Sequence, residues 1–279
     1  MRRLAATLLP VLLAAASGAG AEERRPRILL ANDDGIEAPG LAAAYVELSK
    51  LGEVTVAAPD TNQSGVSHGV TYAVPIFART IEPRAAALVP GNAGPWYRIA
   101  ATPATCVRLA LTSLLKEKPD VVVSGINRGD NAGLTLYVSG TLGAAREAAF
   151  DGIPAVAASL VSSPSMDYAP GAAVLARIVR ETLSRGLPRG TLLSLNIPAT
   201  AIKGIKVVPH SLKNGTNAYE RRESPRGEVY YWNLWTEPVD PDSETDVGAI
   251  TAGYVAVTPL RVNANDPEAL RAIESWQLR

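Results

Sequence analysis

Residues 28–35 read Ile-Leu-Leu-Ala-Asn-Asp-Asp-Gly. A continuous apolar run with no alternation describes a strand buried on both faces, as the first strand of a parallel α/β sheet is. It stops on two carboxylates, Asp33 and Asp34, followed by Gly35. Open α/β sheets place their ligands at the carboxyl ends of strands, where the backbone turns sharply. Adjacent like charges repel unless something cationic lies between them, and carboxylate oxygens are what Mg²⁺ or Mn²⁺ prefers. A plain polar turn with Asp34 as a helix cap accounts for the same residues.

The remainder of the chain supports a mostly parallel sheet with flanking helices. Pro39-Gly40-Leu41 opens a helix that runs to Leu48, and residues 54–58 form a second strand, closing a βαβ unit. The polar loop at 59–65 then falls on the same rim as Asp33 and Asp34. Residues 66–100 lose this rhythm, and Val70-Thr71-Tyr72-Ala73-Val74 and Tyr97-Arg98-Ile99 read as inserted hairpin material. A helix capped by Thr102 starts at Pro103 and runs to about Lys116. The next buried strand, 119–124, feeds a glycine-rich stretch at 125–133 on the carboxyl rim. A helix at 142–150 follows Ser139-Gly140-Thr141, then a strand at 153–159, a helix at 172–184 and a strand at 192–196. Beyond Ile205 the character changes. Residues 228–235 make one aromatic-rich strand, more in keeping with a subunit contact than with catalysis. A short helix at 245–252, a strand at 254–258 and a terminal helix at 266–276 complete the chain.

The amino end does not belong to this fold. Met1-Arg2-Arg3, an apolar stretch at 4–16 and Ala19-Gly20-Ala21 match a secretory signal peptide over residues 1–21, so the protein is expected to be exported, periplasmic or secreted. The apolar stretch is short for a membrane span and contains Pro10; nothing later in the sequence reads as membrane-spanning. The 27 basic residues balance 27 acidic ones, and losing Arg2 and Arg3 tips the mature chain slightly acidic, which gives no electrostatic basis for binding long nucleic acid. Cys106 is the only cysteine, so no internal disulfide framework exists. His68 and His210 are the only histidines, too few for a histidine-built zinc site.

Four oxygen-bearing groups converge on one rim: Asp33, Asp34, Ser64 and Asn127. Two carboxylates, a hydroxyl and an amide oxygen leave positions open for water or substrate on a hexacoordinate hard cation. The run from Ser124 to Gly133 matches neither the P-loop nor the dinucleotide fingerprint. Ser139-Gly140-Thr141 offers hydroxyls and free N–H groups at a helix start, an anion site or simply an N-cap. His68 is a candidate general acid or a solvated loop residue. Arg128 and Arg146 are candidates for neutralising phosphate, or surface ion pairs.

On these residues the chain resembles the SurE family, the stationary-phase survival protein E nucleotidases. The likeness runs in order through ILLANDDGIEAPG (28–40), AAPDTNQSG (57–65), PDVVVSGINRGDNAG (119–133), SGTLGAARE (139–147), GIPAVAASL (152–160) and GYVAVTPL (253–260). The resemblance implies a Rossmann-like core at about 26–200 and a carboxy-terminal segment at about 201–279 whose β-hairpin serves oligomerisation, as a homodimer or homotetramer. It implies a phosphomonoesterase that hydrolyses nucleoside 5′- or 3′-monophosphates by metal-activated water. One divalent cation per subunit, Mg²⁺ or Mn²⁺, is expected on Asp33, Asp34, Ser64 and Asn127, with Asp33, Asp34 and Asn127 catalytic and Ser139, Gly140 and Thr141 on the phosphate. The implied substrate is a nucleoside monophosphate or another small phosphomonoester; the alternatives are a broad-specificity acid phosphatase or exopolyphosphatase, and a nucleotide-binding homologue without turnover. Haloacid-dehalogenase phosphatases need Asp-x-Asp, whereas Asp33 and Asp34 are adjacent. Four positions depart from the family pattern: Ala101 and Thr105, where a glycine and a carboxylate are usual, Val138 in place of tyrosine and Thr135 in place of aspartate.

Overall fold

The computed structural model describes residues 24–279 except 93, 214, 216, 237, 277 and 279; the leader read at 1–21 lies outside the described residues. β1 (Arg27–Ala31), α1 (Pro39–Leu48) and β2 (Glu53–Pro59) form the first βαβ unit. β3 (Ala78–Ile81) and β4 (Trp96–Ile99) are an antiparallel pair on the edge. α2 (Pro103–Leu109) leads to β5 (Val121–Arg128), α3 (Gly140–Phe150) to β6 (Ala155–Leu160), and α4 (Ala169–Arg185) to β7 (Thr191–Ile197). The last third holds β8 (Ile205–Val207), β9 (Asn217–Glu223), β10 (Val229–Trp235), α5 (Asp246–Thr251), β11 (Val255–Arg261) and α6 (Pro267–Glu274).

Among the described residues nine strands form one sheet in the order β3-β4-β2-β1-β5-β6-β7-β11-β8. The run from β4 to β7 is parallel throughout. From β1 the chain moves outward through β2 and β4, then returns to the other side of β1 and continues outward through β5, β6 and β7. The direction of travel reverses between β1 and β5, and at such a reversal the loops leaving the carboxyl ends diverge and open a crevice.

Successive strand residues point to opposite faces, and each face has its own core. Ile28 and Leu30 of β1 pack with Leu41, Tyr45 and Leu48 of α1 and with Leu175 and Val179 of α4. Leu29 and Ala31 pack on the other face with Cys106 and Val107 of α2 and with Leu142, Ala145 and Ala148 of α3. Two helices on each face bury the central strands completely, which is why residues 28–31 carry no polar alternation.

Two local expectations fail for identifiable reasons. Residues 70–74 form no strand; the edge strand is β3, further along. The Thr71 N–H is taken by the Thr105 hydroxyl (2.8 Å) and Ala73 sits at φ +58°, so a ladder cannot run through them. The helix from Pro103 stops being α-helical at Leu109 and widens into a π turn over Ala110–Leu114, with the Thr112 hydroxyl donating back to the Arg108 carbonyl (2.8 Å). Among the described residues β9 and β10 pair only with each other, and Tyr231 and Trp232 are more than half exposed. No described helix is long and apolar enough to cross a membrane.

Candidate active site

The strand-to-loop step after β1 is closed by Asn32, whose Nδ2 donates to the Gly35 carbonyl (2.8 Å), with Gly35 at φ +102°. This tight turn presents Asp33 and Asp34 at the crevice between β1 and β5. Asp33 is almost fully buried, at 3% exposure, and Asp34 is half-buried. The Thr141 hydroxyl donates to Asp33 Oδ1 (2.5 Å) across the start of α3. The helix can come this close because residue 140 is glycine: a Cβ there would lie 2.9 Å from both Cβ and Oδ2 of Asp33. Asp34 Oδ2 accepts the Arg128 N–H (2.9 Å) from the end of β5. Beside it, Asn127 donates Nδ2 to the Gly129 carbonyl (2.7 Å), which turns its amide oxygen into the free end of the group. Ser64 is exposed, and its neighbour Gln63 donates its N–H to the Asp33 carbonyl (2.7 Å). The fold therefore links Asp33, Asp34 and Asn127 within a few hydrogen bonds and brings the Ser64 loop against the same turn.

Burial pushes the Asp33 carboxyl up to about 6; the Thr141 hydrogen bond opposes this and the Asp34 charge adds to it. Burial also raises Asp34, against the Arg128 N–H and guanidinium. The site thus holds two carboxylates whose charged forms are disfavoured, and among the described residues no lysine or arginine forms an ion pair with either. That deficit is what a hard divalent cation relieves. No group of three or more His, Cys, Asp or Glu exists among the described residues to hold a metal, so hydroxyl and amide oxygens would have to complete the set, and Ser64 and Asn127 are of that kind. On donor chemistry the residues fit a hard cation.

The residues expected around phosphate divide their work. Ser139 is the N-cap of α3, its Oγ accepting the Leu142 N–H (3.2 Å), and its own hydroxyl proton remains available. The Thr141 hydroxyl is spent on Asp33 and fully buried, so Thr141 orients a carboxylate and offers no hydroxyl to an anion. Arg128 stands exposed at the mouth. Arg146 is half-buried on α3 with no carboxylate partner among the described residues, and burial lowers its pKa. His68 faces Glu147 instead of the carboxylate pair (2.8 Å). Cys106 is buried and its thiol is pushed far up by desolvation, an inert core residue. Ala101 and Thr105 are buried too, and Thr105 serves as a tether for residue 71. A cavity of about 560 Å³ lies on the opposite edge, between Arg24, Arg27 and Leu115, and contains none of these groups.

The sequence reading missed the Asp33–Thr141 pair and Glu147. The first joins residues 108 apart and the second 79 apart, and no local pattern signals either.

Comparison with known proteins bears on the same residues. The family model described as Survival protein SurE matches residues 28–217. The chain belongs to the SurE family. It is 42% identical over 259 residues to the 5′-nucleotidase SurE of Rhodopirellula baltica, an alignment covering 91% of this chain and 99% of that one. It is 38% identical over 257 residues to the 5′-nucleotidase SurE of Symbiobacterium thermophilum, covering 90% and 98%. The crystal structure of the SurE protein from Aquifex aeolicus superposes with a TM-score of 0.78 at 35% identity, covering 90% of this chain and all of that one. The SurE fold of this chain thus extends beyond the matched segment into the carboxy-terminal elements.

Proposed function

We propose that this SurE-family chain is a phosphomonoesterase that hydrolyses nucleoside monophosphates to nucleoside and phosphate. Relatives that align over nearly their whole length are named 5′-nucleotidases. The observation that carries the reading is the contact of Thr141 with Asp33, which sets the carboxylate pair against the amino end of α3, where a phosphate is bound by N–H groups.

In this reading Asp33, Asp34, Ser64 and Asn127 hold one divalent cation, Mg²⁺ or Mn²⁺. When bound, such a cation supplies Lewis-acid polarisation of phosphoryl oxygen and a lowered pKa for water. The Ser139 hydroxyl and the Gly140 N–H grip phosphate oxygens and hold the phosphorus in line. Thr141 fixes the orientation of the Asp33 carboxylate through Oδ1 and leaves Oδ2 for the cation. Arg128 at the mouth adds positive charge where the dianion enters.

The test is phosphate release by the purified chain from nucleoside 5′- and 3′-monophosphates, polyphosphate and an aryl phosphate, with Mg²⁺, with Mn²⁺ and with chelator. Metal-dependent release from nucleotides is expected. Chelator-insensitive release, or none with either metal, overturns the reading.

The exposed aromatic strand β10 supports self-association, since a lone two-stranded hairpin is marginal in water. Sedimentation of a variant lacking residues 217–235 is expected to show a smaller species than the intact chain. The leader motif supports export, and the amino terminus of protein recovered from the native cell is expected at Glu22.

A further inference from the structure

Residues 64–71, the segment that carries Ser64, are exposed or only partly buried, yet they are pinned at several points. The Ser67 N–H and hydroxyl donate to the carbonyls of Val138 (3.0 Å) and Tyr137 (2.6 Å), just before the Ser139 cap. A Cβ on residue 143 of α3 would lie 2.3 Å from the Ser67 carbonyl, so Gly143 lets the segment lie directly on the helix. One residue on, His68 Nε2 bonds Glu147 Oε2 (2.8 Å) and its ring lies 5.1 Å from that of Phe150. Arg108 of α2 forks onto the same carboxylate, Nε to Oε1 at 2.6 Å and Nη2 to Oε2 at 3.0 Å. Burial would push the Glu147 carboxyl up, yet the bonds and charges of His68 and Arg108 hold it below the usual range. At the far end the Thr71 N–H is held by Thr105, whose hydroxyl also bonds that of Thr102 (2.9 Å).

We propose that Glu147, gripped by Arg108 and bonded to His68, is a clasp that holds the Ser64 segment onto α3, and that His68 is a positioning residue for the metal site. The inference rests on the reading of Ser64 as a metal ligand. Gln63 and His68 flank Ser64: one is fastened to the Asp33 backbone and the other to α3. Between them Gly65 sits at φ +80°. Ser64 therefore has its reach set from both sides, while its own exposed side chain makes no hydrogen bond among the described residues. Groups bonded directly to metal ligands typically contribute about 10–100-fold to metal affinity; His68 acts at one remove, through the backbone of the Ser64 segment, so the low end of that range, about tenfold, is expected. Nε2 is engaged by Glu147, and Nδ1 is buried with no hydrogen-bond partner among the described residues, so neither ring nitrogen is bonded to the carboxylate pair as an acid would be.

The experiment measures Mn²⁺ affinity by electron paramagnetic resonance and, in chelator, amide hydrogen exchange over residues 64–69. His68→Ala is expected to bind Mn²⁺ about tenfold more weakly and to exchange faster over that segment. His68→Gln, which keeps an N–H for Glu147, should recover most of both. Glu147→Ala should match His68→Ala, with the double variant no worse than the weaker single one; Glu147→Gln replaces it if the alanine variant does not fold. His68→Ala with unchanged Mn²⁺ affinity and exchange but lost turnover would overturn the proposal and make His68 catalytic, as would full additivity of the two substitutions. Asp33→Asn separates the two readings. If wild type binds Mn²⁺ no better than Asp33→Asn, the metal-site reading falls, and the exchange data alone decide whether the clasp exists.

Discussion

Replacing Asp33 by asparagine should abolish metal-dependent turnover and at the same time stabilise the metal-free protein. The Asp33 carboxyl titrates at about 6 in the folded chain, against an ordinary value of 3.8, because it is buried beside Asp34 with only the Thr141 hydroxyl and backbone N–H groups to support its charge. The folded state therefore binds more protons than the unfolded one between those values, and stability falls as pH rises through that window. At neutral pH the ionised carboxylate costs the metal-free fold about 3 kcal/mol relative to its protonated form. Asparagine is neutral at every pH and keeps an oxygen for the Thr141 hydroxyl, but its amide N–H₂ must find a partner, so roughly 1–3 kcal/mol of that cost should be recovered. For a chain of this size that corresponds to a melting temperature higher by about 2–10 °C in chelator at neutral pH. The advantage should shrink as pH falls from about 6 and vanish below about pH 3, where the wild-type carboxyl is protonated in both states. Saturating Mn²⁺ should raise the wild-type melting temperature and leave Asp33→Asn unmoved, because only a protein that binds the ion in its folded state gains from it. Thermal melts followed by circular dichroism, with chelator and with Mn²⁺, decide the matter. A variant that melts below wild type in chelator, or one that gains as much as wild type from Mn²⁺, would refute the reasoning.

Removing the Thr141 hydroxyl with Thr141→Val should lower stability by about 1 kcal/mol and weaken Mn²⁺ binding, while Thr141→Ser keeps both near wild type, as denaturant titrations and metal titrations will show. Gly140→Ala should leave the circular dichroism spectrum intact and cut kcat at least about tenfold, because its methyl meets Asp33 at 2.9 Å and displaces the carboxylate from its aligned position. Protons compete with the cation for Asp33, so the Kd for Mn²⁺ should rise about tenfold for each pH unit below about 6 and level off above it, measured by titration at fixed ionic strength.

Much of the architecture is legible in local pattern. The unbroken apolar run at 28–31, the proline at the first turn of α1 and of α2, and the rhythm of strand and helix to about residue 200 all follow from burial and backbone chemistry within a few residues. Residues 70–74 show where that logic stops. Their composition favours a strand, but Thr71 finds Thr105 across 34 positions and the ladder is lost. The π turn at Ala110–Leu114 is a different departure, accompanied by a bond inside the helix itself, from the Thr112 hydroxyl to the Arg108 carbonyl.

The candidate site divides along the same line. By itself the sequence determines that two carboxylates follow a buried strand and that a hydroxyl and an amide occur later on segments leaving the same edge, because side-chain alternation and strand direction are local properties. Only the tertiary structure decides that Thr141 closes on Asp33, that Arg128 supports Asp34 through its backbone, and that His68 turns away to Glu147. The first depends on how close α3 approaches the turn after β1, which Gly140 permits, the second on β5 lying beside β1, and the third on how close residues 67–68 lie on α3, which Gly143 permits; no single stretch of residues encodes any of them.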